Sequence, residues 1–525
     1  MSFFTPLTLL TCGAASLALG WLSLDFETQV EEPLQATGVV FHDLDRDGSR
    51  DDGEPGIPGV GVSNGRQIAE TDSDGRYRIA VEPRDEIFVL KPRNWMPPLD
   101  RHRRPQFFYL HRPEGSRASR FPGILPTGPL PDQIDFPLYQ QEEPDSFQAL
   151  FFGDTQPRNQ REVDFITHDI IEGLIDFPGA FGVTLGDVVF DNLALFEPLS
   201  AALSSIGIPW YNVVGNHDVN RGAPEDSWAN ETFIRHFGPA NYAFQWGPVH
   251  FLVLDNVLWF QEGDKPKYNG RFTREVLDFA GNYLRRVKQD ELIMVCMHIP
   301  LHAVQNRGEL LDLLEPFPYT VSISAHTHTM YHRFLGTKDG FDRPEPHHHI
   351  VNVTACGSWW GGALDETGVP HATMSDGAPN GYSIFHFDGQ DYRLEFRAAR
   401  RPAEYQMNIE APEALSVGID LPAKFFVNVF AGSEKSTVEF RLDQGPWQTM
   451  KKVNKPDPWF TAVRQRELRL KPKPGRDLPE PSTCRHLWQG VIPKTISPGL
   501  KELQVRSRDM FGQEFSAHRM IRILP

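Results

Sequence analysis

Five short motifs in the chain carry side chains that bind divalent metals. In chain order they are GDTQ at 153–156, GDVVFDN at 186–192, GNHD at 215–218, MHIP at 297–300 and SAHTHT at 324–329. Their mixture of carboxylate, amide and imidazole ligands suits Mn, Fe or Zn better than Ca or Mg. Two such metals can activate a water and clamp the oxygens of a phosphoryl group. The ordered set predicts a metal-dependent phosphoester hydrolase.

The elements that must position these motifs follow an alternating pattern. Each motif ends a short apolar run, such as FQALFFGD or LIMVCMHIP, which predicts strands buried on both faces. Between the runs lie segments with helical spacing, at about 161–175, 193–206, 271–287 and 308–314. Alternating strands and helices predict a layered α/β fold. Because ligand sites in such sheets gather at the carboxyl ends of the strands, we expect the five motifs to meet there.

Within residues 145–400 these motifs resemble the calcineurin-like metallophosphoesterase superfamily. The resemblance implies a central four-layer α/β sandwich that holds two divalent transition metals. It assigns the first metal to four residues, Asp154, Gln156, Asp187 and His328. It assigns the second metal to Asp187, Asn216, His298 and His326, so that Asp187 bridges the two metals.

The same resemblance implies that a hydroxide between the metals attacks phosphorus in line. His217 would protonate the departing alkoxide or polarise the phosphoryl oxygen. Asp218 would orient His217, Asp191 would order its loop, and Asn192 would lie near the phosphate. Gln156 departs from the commoner pattern, which has histidine at this position. Because a neutral amide oxygen is a weaker ligand than imidazole, we expect the first metal to bind loosely or to load with substrate.

The N-terminal segment and the net charge indicate the location of the protein and one class of partner that it is not expected to bind. Residues 3–24 contain no charged side chain, and Ala18 and Gly20 offer a small-residue cleavage site. Residues 1–24 are predicted to be a signal peptide or, alternatively, a membrane anchor. Both interpretations predict an exported protein that is periplasmic, secreted or attached to the membrane or cell envelope. The formal net charge of −17 argues against a nucleic-acid-binding surface, and four widely spaced cysteines argue against a disulfide scaffold.

Residues 35–139 are predicted to form a β domain that contains a calcium loop. The segments at 38–43 and 76–81 are typical of strands. DLDRDGSRDDGE at 43–54 has the spacing of a calcium loop, with glycine at its sixth place. The predicted ligands are Asp43, Asp45, Asp47, Ser49, Asp51 and Glu54. The flanking segments resemble prealbumin-like calcium modules of bacterial surface proteins, which implies a structural ion, and the alternative is a solvated acidic turn.

The pattern of apolar and polar residues changes in the last part of the chain. Residues 401–525 contain short alternating runs such as STVEFRL and KELQVRSRD, which predict an all-β sandwich. The DPWF, HLW and RDMFG segments resemble the C-terminal domain of a bacterial secreted family, in which a β domain lies on each side of a calcineurin-like catalytic domain. The segment at 91–144 is rich in proline and arginine and is predicted to be irregular structure packed on its neighbour, or a long linker.

Several residues outside the five motifs allow two interpretations. In CGSWWGG, Trp359 and Trp360 are expected either to wall a pocket or to fill a core. In DGAPNGY, Asp376 and Asn380 either face that pocket or belong to a hairpin. The three histidines at 347–349 fit none of the motifs and are predicted to lie in a solvated loop.

Together these patterns favour an exported dinuclear-metal phosphoesterase that hydrolyses a phosphodiester or phosphomonoester, with a small-molecule or envelope substrate. Two alternatives stay open. A nucleotide pyrophosphatase-like hydrolase is suggested by Gln156 and the paired tryptophans. A cell-surface binding protein with a vestigial catalytic domain is suggested by the two β modules, although the intact set of ligands argues against it.

Overall fold

The computed structural model describes residues 34–263, 265–473 and 475–525. The predicted signal peptide or anchor at 1–24 lies outside these residues. Within the described ranges, no helix is both long enough and apolar enough to cross a membrane.

Two four-stranded sheets share one hydrophobic core in the first part of the chain. One sheet contains, in spatial order, Arg76–Ala80, Gln35–His42, Phe136–Gln140 and Trp95–Met96. The other contains Ile68–Glu70, Gly61–Ser63, Glu86–Val89 and Phe108–Leu110. Alternation places Tyr77 and Ile79 in this core while Arg76 and Arg78 are exposed, as the twofold side-chain period of a strand requires.

Two larger mixed sheets lie in the middle of the chain. The first has five strands in the order Trp210–Val213, Phe181–Leu185, Ser146–Phe152, Gly381–Asp388 and Asp391–Ala398. The second has six strands in the order Tyr242–Trp246, Val249–Val253, Leu292–Cys296, Thr320–Ser324, His347–Val351 and Tyr331–Leu335. A separate hairpin pairs Val257–Glu262 with Lys265–Gly270. The strands that precede the five motifs pair in parallel within each sheet.

The inner strands of these sheets, such as Phe181–Leu185 and Leu292–Cys296, are buried on both faces. In the strand Ser146–Phe152, Phe151 joins the core shared by the two sheets, whereas Phe152 packs with the helices Gln160–Asp169 and Phe196–Leu203. The remaining α-helices of this part are Asp226–Ala229, Glu231–Phe237, Arg274–Leu284 and Arg307–Leu314. Short 3-10 turns lie at Ile171–Leu174, Leu193–Leu195, Ser204–Ile206, Leu301–Ala303 and Thr337–Asp339.

The prediction of a solvated loop at 347–349 is wrong. His347–Val351 is a fully buried strand in the six-stranded sheet. Its imidazoles have partners, since His347 contacts the Ser322 hydroxyl at 2.7 Å and His349 contacts the same hydroxyl at 2.8 Å. His348 contacts the Tyr392 hydroxyl at 2.6 Å. Burial lowers the pKa of all three histidines, to about 3 for His347, so the strand carries neutral polar rings.

The last part of the chain has two sheets around one core, together with a helix. The first sheet has the order Met407–Glu410, Ala423–Val429, Thr483–Ile492 and Lys451–Pro456. The second has the order Ala414–Ser416, Glu514–Leu524, Gly499–Arg508, Thr437–Leu442 and Gln448–Thr449. The all-β prediction omitted the helix Pro458–Glu467, which begins where the Asp457 side chain accepts the Trp459 N–H and proline takes the first position.

The segment at 91–144 packs against the middle of the chain and does not form a free linker. The Lys91 ammonium is buried, contacts the Glu143 carboxylate and donates to the Gln245 carbonyl oxygen at 2.6 Å. The second carboxylate oxygen of Glu143 accepts the Gly247 N–H at 3.0 Å. Burial lowers the pKa of Lys91 to about 8, against the opposing effect of Glu143. The buried pair of Lys91 and Glu143 therefore joins the two ends of this segment, and it holds both ends against the strand Tyr242–Trp246 and the Gly247 that follows it.

We expect Glu143→Ala to lower the free energy of unfolding by about 3–5 kcal/mol, because it leaves the Lys91 charge buried without a partner. Urea unfolding monitored by tryptophan fluorescence would measure the change. Arg76→Ala is the matched control, since it breaks an exposed pair with Asp74 and should change stability by less than about 1 kcal/mol. Equal effects of the two substitutions would contradict this assignment.

Candidate metal centre

The structure brings the five motifs together at the carboxyl ends of neighbouring strands. Asp154 and Gln156 follow Ser146–Phe152, and Asp187 follows Phe181–Leu185. The other predicted ligands follow the strands Trp210–Val213, Leu292–Cys296 and Thr320–Ser324, and they are Asn216, His298, His326 and His328. Ligand-type side chains from both central sheets thus meet at one place.

The backbone around these side chains is strained. Five of the seven predicted ligands have φ angles in the left-handed region, namely Asp154, Gln156, Asp187, His326 and His328. Such angles are rare for residues other than glycine and cluster where the surrounding structure holds a functional site in place. Gly215 also allows a close approach, because a Cβ atom there would lie 2.0 Å from the backbone nitrogen of Asp187. Only glycine lets the GNHD loop pack against this aspartate.

Four of the ligand-type atoms form one compact cluster. Nε2 of His298 lies 3.3 Å from Oδ1 of Asp187, 3.1 Å from Oδ1 of Asn216 and 3.1 Å from Nδ1 of His326. The opposite nitrogen of His298, Nδ1, contacts the Leu185 carbonyl oxygen at 2.8 Å. An N–H on Nδ1 leaves Nε2 with a lone pair aimed into the cluster, which is the arrangement that metal-binding histidines need. These are the four residues that the sequence predicts for the second metal, and their binding of a metal stays a prediction.

A second group lies on the other side of Asp187. Nε2 of His328 is 3.0 Å from Oδ2 of Asp154, and the Gln156 amide nitrogen is 2.8 Å from Oδ2 of Asp187. A half-turn of that amide would present its oxygen to the same place. Oδ2 of Asp154 is buried, and the contact with His328 is its one ion-pair contact among the described residues, with no other hydrogen bond. A buried carboxylate with so few donors is costly, so this group fits a cation.

The charges in the cluster depend strongly on one another. Burial by itself would lower the pKa of His298, but the carboxylates of Asp187 and Asp154 raise it to about 9. Burial and the neighbouring His298 lower the pKa of His326 to about 4. Burial would raise the pKa of Asp187, whereas the charges of His298 and His217 bring it below its ordinary value. A metal that binds here must displace the proton that these carboxylates hold on His298.

His217 is held beside the cluster by contacts that differ from the prediction. Its backbone N–H donates to Oδ1 of Asp187 at 2.8 Å, and its Nδ1 lies 2.8 Å from Oδ1 of Asp191. Asp191 also pairs with Arg221. Burial would lower the pKa of His217, but Asp187 and Asp191 raise it. Among the residues that the structure describes, the other ring nitrogen, Nε2, makes no hydrogen bond.

The prediction that Asp218 orients His217 is wrong. The Asp218 carboxylate instead accepts the backbone N–H groups of Val188, Val189 and Gly215 at 2.9–3.0 Å. It therefore fixes the GDVVFDN loop against the GNHD loop, and Asp191 is the residue that orients the imidazole. Asn192 is half-buried at the start of the turn Leu193–Leu195, and its contact with a phosphate stays a prediction.

The two tryptophans of CGSWWGG have different environments. Trp360 is buried, and its indole N–H donates to the Thr155 carbonyl oxygen at 3.2 Å. Trp359 is half-buried and stacks on the ring of His328 at 4.0 Å. Thus Trp360 fills a core, as one interpretation expected, and Trp359 lines the centre, as the other expected. Both have φ angles in the left-handed region, of 53° and 56°.

Asp376 and Asn380 do not face the metal centre. Asp376 accepts the Met330 N–H at 2.8 Å and lies 3.0 Å from Nε2 of His486, which belongs to the last part of the chain. Both members of this pair are buried. Asn380 donates to the Asp169 carboxylate at 2.6 Å and to the Ala355 carbonyl oxygen at 2.9 Å. These two residues hold elements together and do not contribute to the site.

Sequence reasoning missed three other residues at the rim of the centre, Arg158, Phe190 and Cys356. The Phe190 ring stacks on His217 at 4.2 Å, and the Cys356 sulfur is 3.7 Å from both Gln156 Oε1 and His328 Nδ1. Phe190 lies inside the second motif, Arg158 lies two residues after the first, and Cys356 begins the CGSWWGG segment. These positions were the available sign, since a loop that carries ligands also carries their neighbours.

The acidic loop at 43–54 is folded around its own carboxylates. Carboxylate oxygens of Asp43, Asp45 and Glu54 lie within 4.8 Å of one another, and so do those of Asp45, Asp47 and Asp51. Asp43 accepts the N–H groups of Arg46 at 2.7 Å and Gly48 at 3.1 Å. The repulsion of Asp47, with smaller contributions from burial and other acidic neighbours, raises the pKa of Asp51. A divalent cation would relieve this repulsion.

Three family models match successive parts of the sequence. The N terminal of calcineurin-like phosphoesterase matches residues 44–122, calcineurin-like phosphoesterase matches 147–330, and the C terminal of calcineurin-like phosphoesterase matches 349–515. The chain belongs to the calcineurin-like phosphoesterases. Its metallophosphoesterase catalytic domain is flanked by an N-terminal and a C-terminal domain. The protein is therefore a metal-dependent phosphoester hydrolase, and the family implies a dinuclear metal centre.

Two solved structures are distantly similar to this phosphoesterase. A purple acid phosphatase from yellow lupin (Lupinus luteus) seeds matches with a TM-score of 0.35 and 13% identity over 70% of this chain and 67% of that one. The spore cortex lytic enzyme SleM of Clostridium perfringens matches with a TM-score of 0.17 and 11% identity over 73% of this chain and 100% of that one. No curated protein matches. These TM-scores support no inference about function.

We expect His217→Ala to slow turnover by about 10²–10⁴-fold with an alkyl leaving group and much less with p-nitrophenolate, which departs without a proton. Asp191→Ala should show the same dependence on the leaving group with a loss of about 10-fold, because it only orients the imidazole. Steady-state kinetics with both types of ester would measure this. Equal losses for good and poor leaving groups would contradict the role of His217, and metal content should not change.

Proposed function

We propose that the protein hydrolyses a phosphodiester or phosphomonoester at the centre formed by the five motifs. One observation carries this proposal: two groups of ligand-type atoms meet at the single carboxylate of Asp187. The first metal would be held by Asp154, Gln156, Asp187 and His328, and the second by Asp187, Asn216, His298 and His326. The chemistry of these donors favours Mn, Fe or Zn.

The charges of these residues suit an anionic substrate. Only Asp154 and Asp187 are carboxylates, and the other five ligands are neutral amides or imidazoles when they bind a metal. Two divalent cations would therefore leave the centre with a net positive charge. When bound, such metals lower the pKa of a water and neutralise charge on the phosphoryl oxygens. Gln156, like the histidines, supplies a neutral ligand and therefore cancels none of this charge.

His217 would complete the reaction on the side of the leaving group. Its backbone bond to Asp187 sets the ring next to the shared carboxylate, and Asp191 holds Nδ1. Nε2 then faces the open side of the centre, where it can give a proton to a departing alkoxide. Asn192, which follows in the same loop as Asp191, is proposed to contact the phosphate.

We also propose an arrangement of domains and a location. Residues 35–139 and 401–525 are proposed to be β-sandwiches, and 145–400 a four-layer α/β sandwich between them. The pairs of sheets and their separate hydrophobic cores support this arrangement. The uncharged segment at 3–24 supports export to the periplasm, the envelope or the medium. N-terminal sequencing of the mature protein would test export, because an unprocessed chain in the cytoplasm would contradict it.

The decisive experiment compares the wild-type protein with Asp187→Asn. Purified protein lacking residues 1–24 should contain about two transition metals per chain and should hydrolyse bis-p-nitrophenyl phosphate or p-nitrophenyl phosphate with Mn. Asp187→Asn removes the shared negative charge and should lose metal and turnover together. Metal analysis and the two colorimetric assays measure both quantities.

Each outcome of this experiment has a defined meaning. Diesterase turnover points to phosphodiester substrates, and turnover of the monoester alone points to phosphomonoesters. Full turnover in Asp187→Asn would contradict the assignment of the centre. If the wild-type protein binds no metal and shows no turnover with Mn, the cell-surface binding protein becomes the better hypothesis.

We propose that the loop at 43–54 binds a structural Ca²⁺ through Asp43, Asp45, Asp47, Ser49, Asp51 and Glu54. The two overlapping carboxylate clusters support this. Calcium should raise the melting temperature of the protein, and a chelator should reverse the increase. Asp45→Ala should abolish the effect, whereas Asp74→Ala, in a nearby turn, should retain it. A melting temperature that does not respond to calcium in the wild-type protein would contradict the proposal.

A further inference from the structure

Two aromatic rings flank the metal centre at its rim. The Phe190 ring stacks on His217, with centroids 4.2 Å apart and planes inclined by 22°. The Trp359 ring stacks on His328, with centroids 4.0 Å apart and planes inclined by 27°. One ring thus covers the proposed acid, and the other covers a proposed ligand of the first metal.

The Arg158 side chain contacts the Phe190 ring and the backbone of Trp359. Its guanidinium carbon lies 4.0 Å from the centroid of Phe190, and its Nη1 donates to the Trp359 carbonyl oxygen at 3.2 Å. The Phe190 N–H donates to the Pro157 carbonyl oxygen at 3.0 Å, which fastens the loop of Arg158 to the second motif. A cation is therefore held at a defined place beside the centre, two residues after Gln156.

Three arginines of this rim, among the residues that the structure describes, differ in how completely their charge is paired. Arg221 pairs with Asp191. Arg476 pairs with Glu162 at 2.9 Å and also donates to the Trp359 carbonyl oxygen. Arg158 has only a distant ion pair, at 3.9 Å, and its partner is the same Glu162. The guanidinium of Arg158 thus keeps donors for a further acceptor, and a quarter of its side chain is exposed.

A purely structural role explains Arg158 less well than a role in binding. Among the described residues the Arg158 side chain makes one hydrogen bond, to the Trp359 carbonyl oxygen, and Arg476 already donates to that same atom. Glu162 is also satisfied without it, because that carboxylate pairs with Arg476 and accepts the backbone N–H of Arg158 at 2.8 Å. The Arg158 side chain can therefore turn to a ligand without leaving a buried group unpaired.

We propose that Arg158 binds a second phosphoryl group of the substrate, so that the preferred substrates are diesters of diphosphate. This inference rests on the proposed function of the metal centre. Water attacks one phosphorus, and the bond from that phosphorus to the bridging oxygen breaks. The bridging oxygen leaves with the second phosphoryl group, and two phosphomonoesters and a proton are released. Arg158 holds the second phosphoryl before cleavage and neutralises its charge as it departs.

The chemistry of the leaving group supports this assignment. A departing phosphomonoester has a second pKa near 6 and leaves without the proton that an alkoxide needs. Its main requirement is a fixed positive charge beside it, and guanidinium binds phosphoryl oxygens in a bidentate manner. Arg158 stands next to Phe190 and thus on the side of His217, where the leaving group is proposed to depart.

The test compares two substrates that differ by one phosphoryl group, bis(p-nitrophenyl) phosphate and P1,P2-bis(p-nitrophenyl) diphosphate. With the Mn-loaded enzyme, Arg158→Ala should reduce kcat/KM for the diphosphate by about 30-fold or more, mainly through KM. It should change kcat/KM for the single phosphate by less than about 3-fold. Arg158→Lys keeps the positive charge but lacks the planar guanidinium that donates two parallel hydrogen bonds, and it should recover part of the loss.

Arg476→Ala is the matched control, because it removes the other arginine that donates to the Trp359 carbonyl oxygen. It should leave the ratio of the two kcat/KM values unchanged. Equal losses on both substrates, or the same loss of ratio in Arg476→Ala, would overturn the inference in favour of a structural role. If the wild-type enzyme hydrolyses the single phosphate but not the diphosphate, the inference is also overturned, while the proposed function stands. Turnover of neither substrate by the metal-loaded enzyme would overturn both.

Discussion

The whole centre depends on the close approach of several loops to one carboxylate. Asp187 accepts the His217 N–H, lies 3.3 Å from Nε2 of His298 and meets the Gln156 amide at 2.8 Å. Such crowding is possible because Gly215 has no side chain where Asp187 comes nearest. The buried charge is stable only with cations or imidazolium groups around it. The strained backbone of the ligand loops and the pairing of the strands before them both hold these loops around Asp187.

The sequence was most informative about features that depend on a few consecutive residues. Every predicted ligand stands at the end of a strand, because apolar runs followed by polar motifs identify both the strand and its end. The short helices Asp226–Ala229 and Glu231–Phe237 were missed, as was the helix Pro458–Glu467, since short helices with mixed polarity have no clear period. Family membership is confirmed by the matches to all three parts of the chain.

Partners that are distant in sequence could not be predicted. His347 was expected in solvent because histidine runs are polar, yet hydroxyl groups on the neighbouring strand satisfy it in the core. Asp218 was assigned to His217 from the resemblance of the GNHD motif, whereas adjacent side chains in a tight loop point in different directions. The partner that orients the ring, Asp191, comes from the previous motif. Arg158 was not predicted to be functional, because it lies beside Phe190 and Trp359 only in the folded chain.

The pair formed by Asp376 and His486 has a consequence for how such a chain can change over time. Each member is buried, and the two lie on opposite sides of the domain boundary proposed near residue 400. A recombination event that exchanged one side alone would leave a charged group in the interior without its counterpart. Substitutions at these two positions are therefore expected to be coupled.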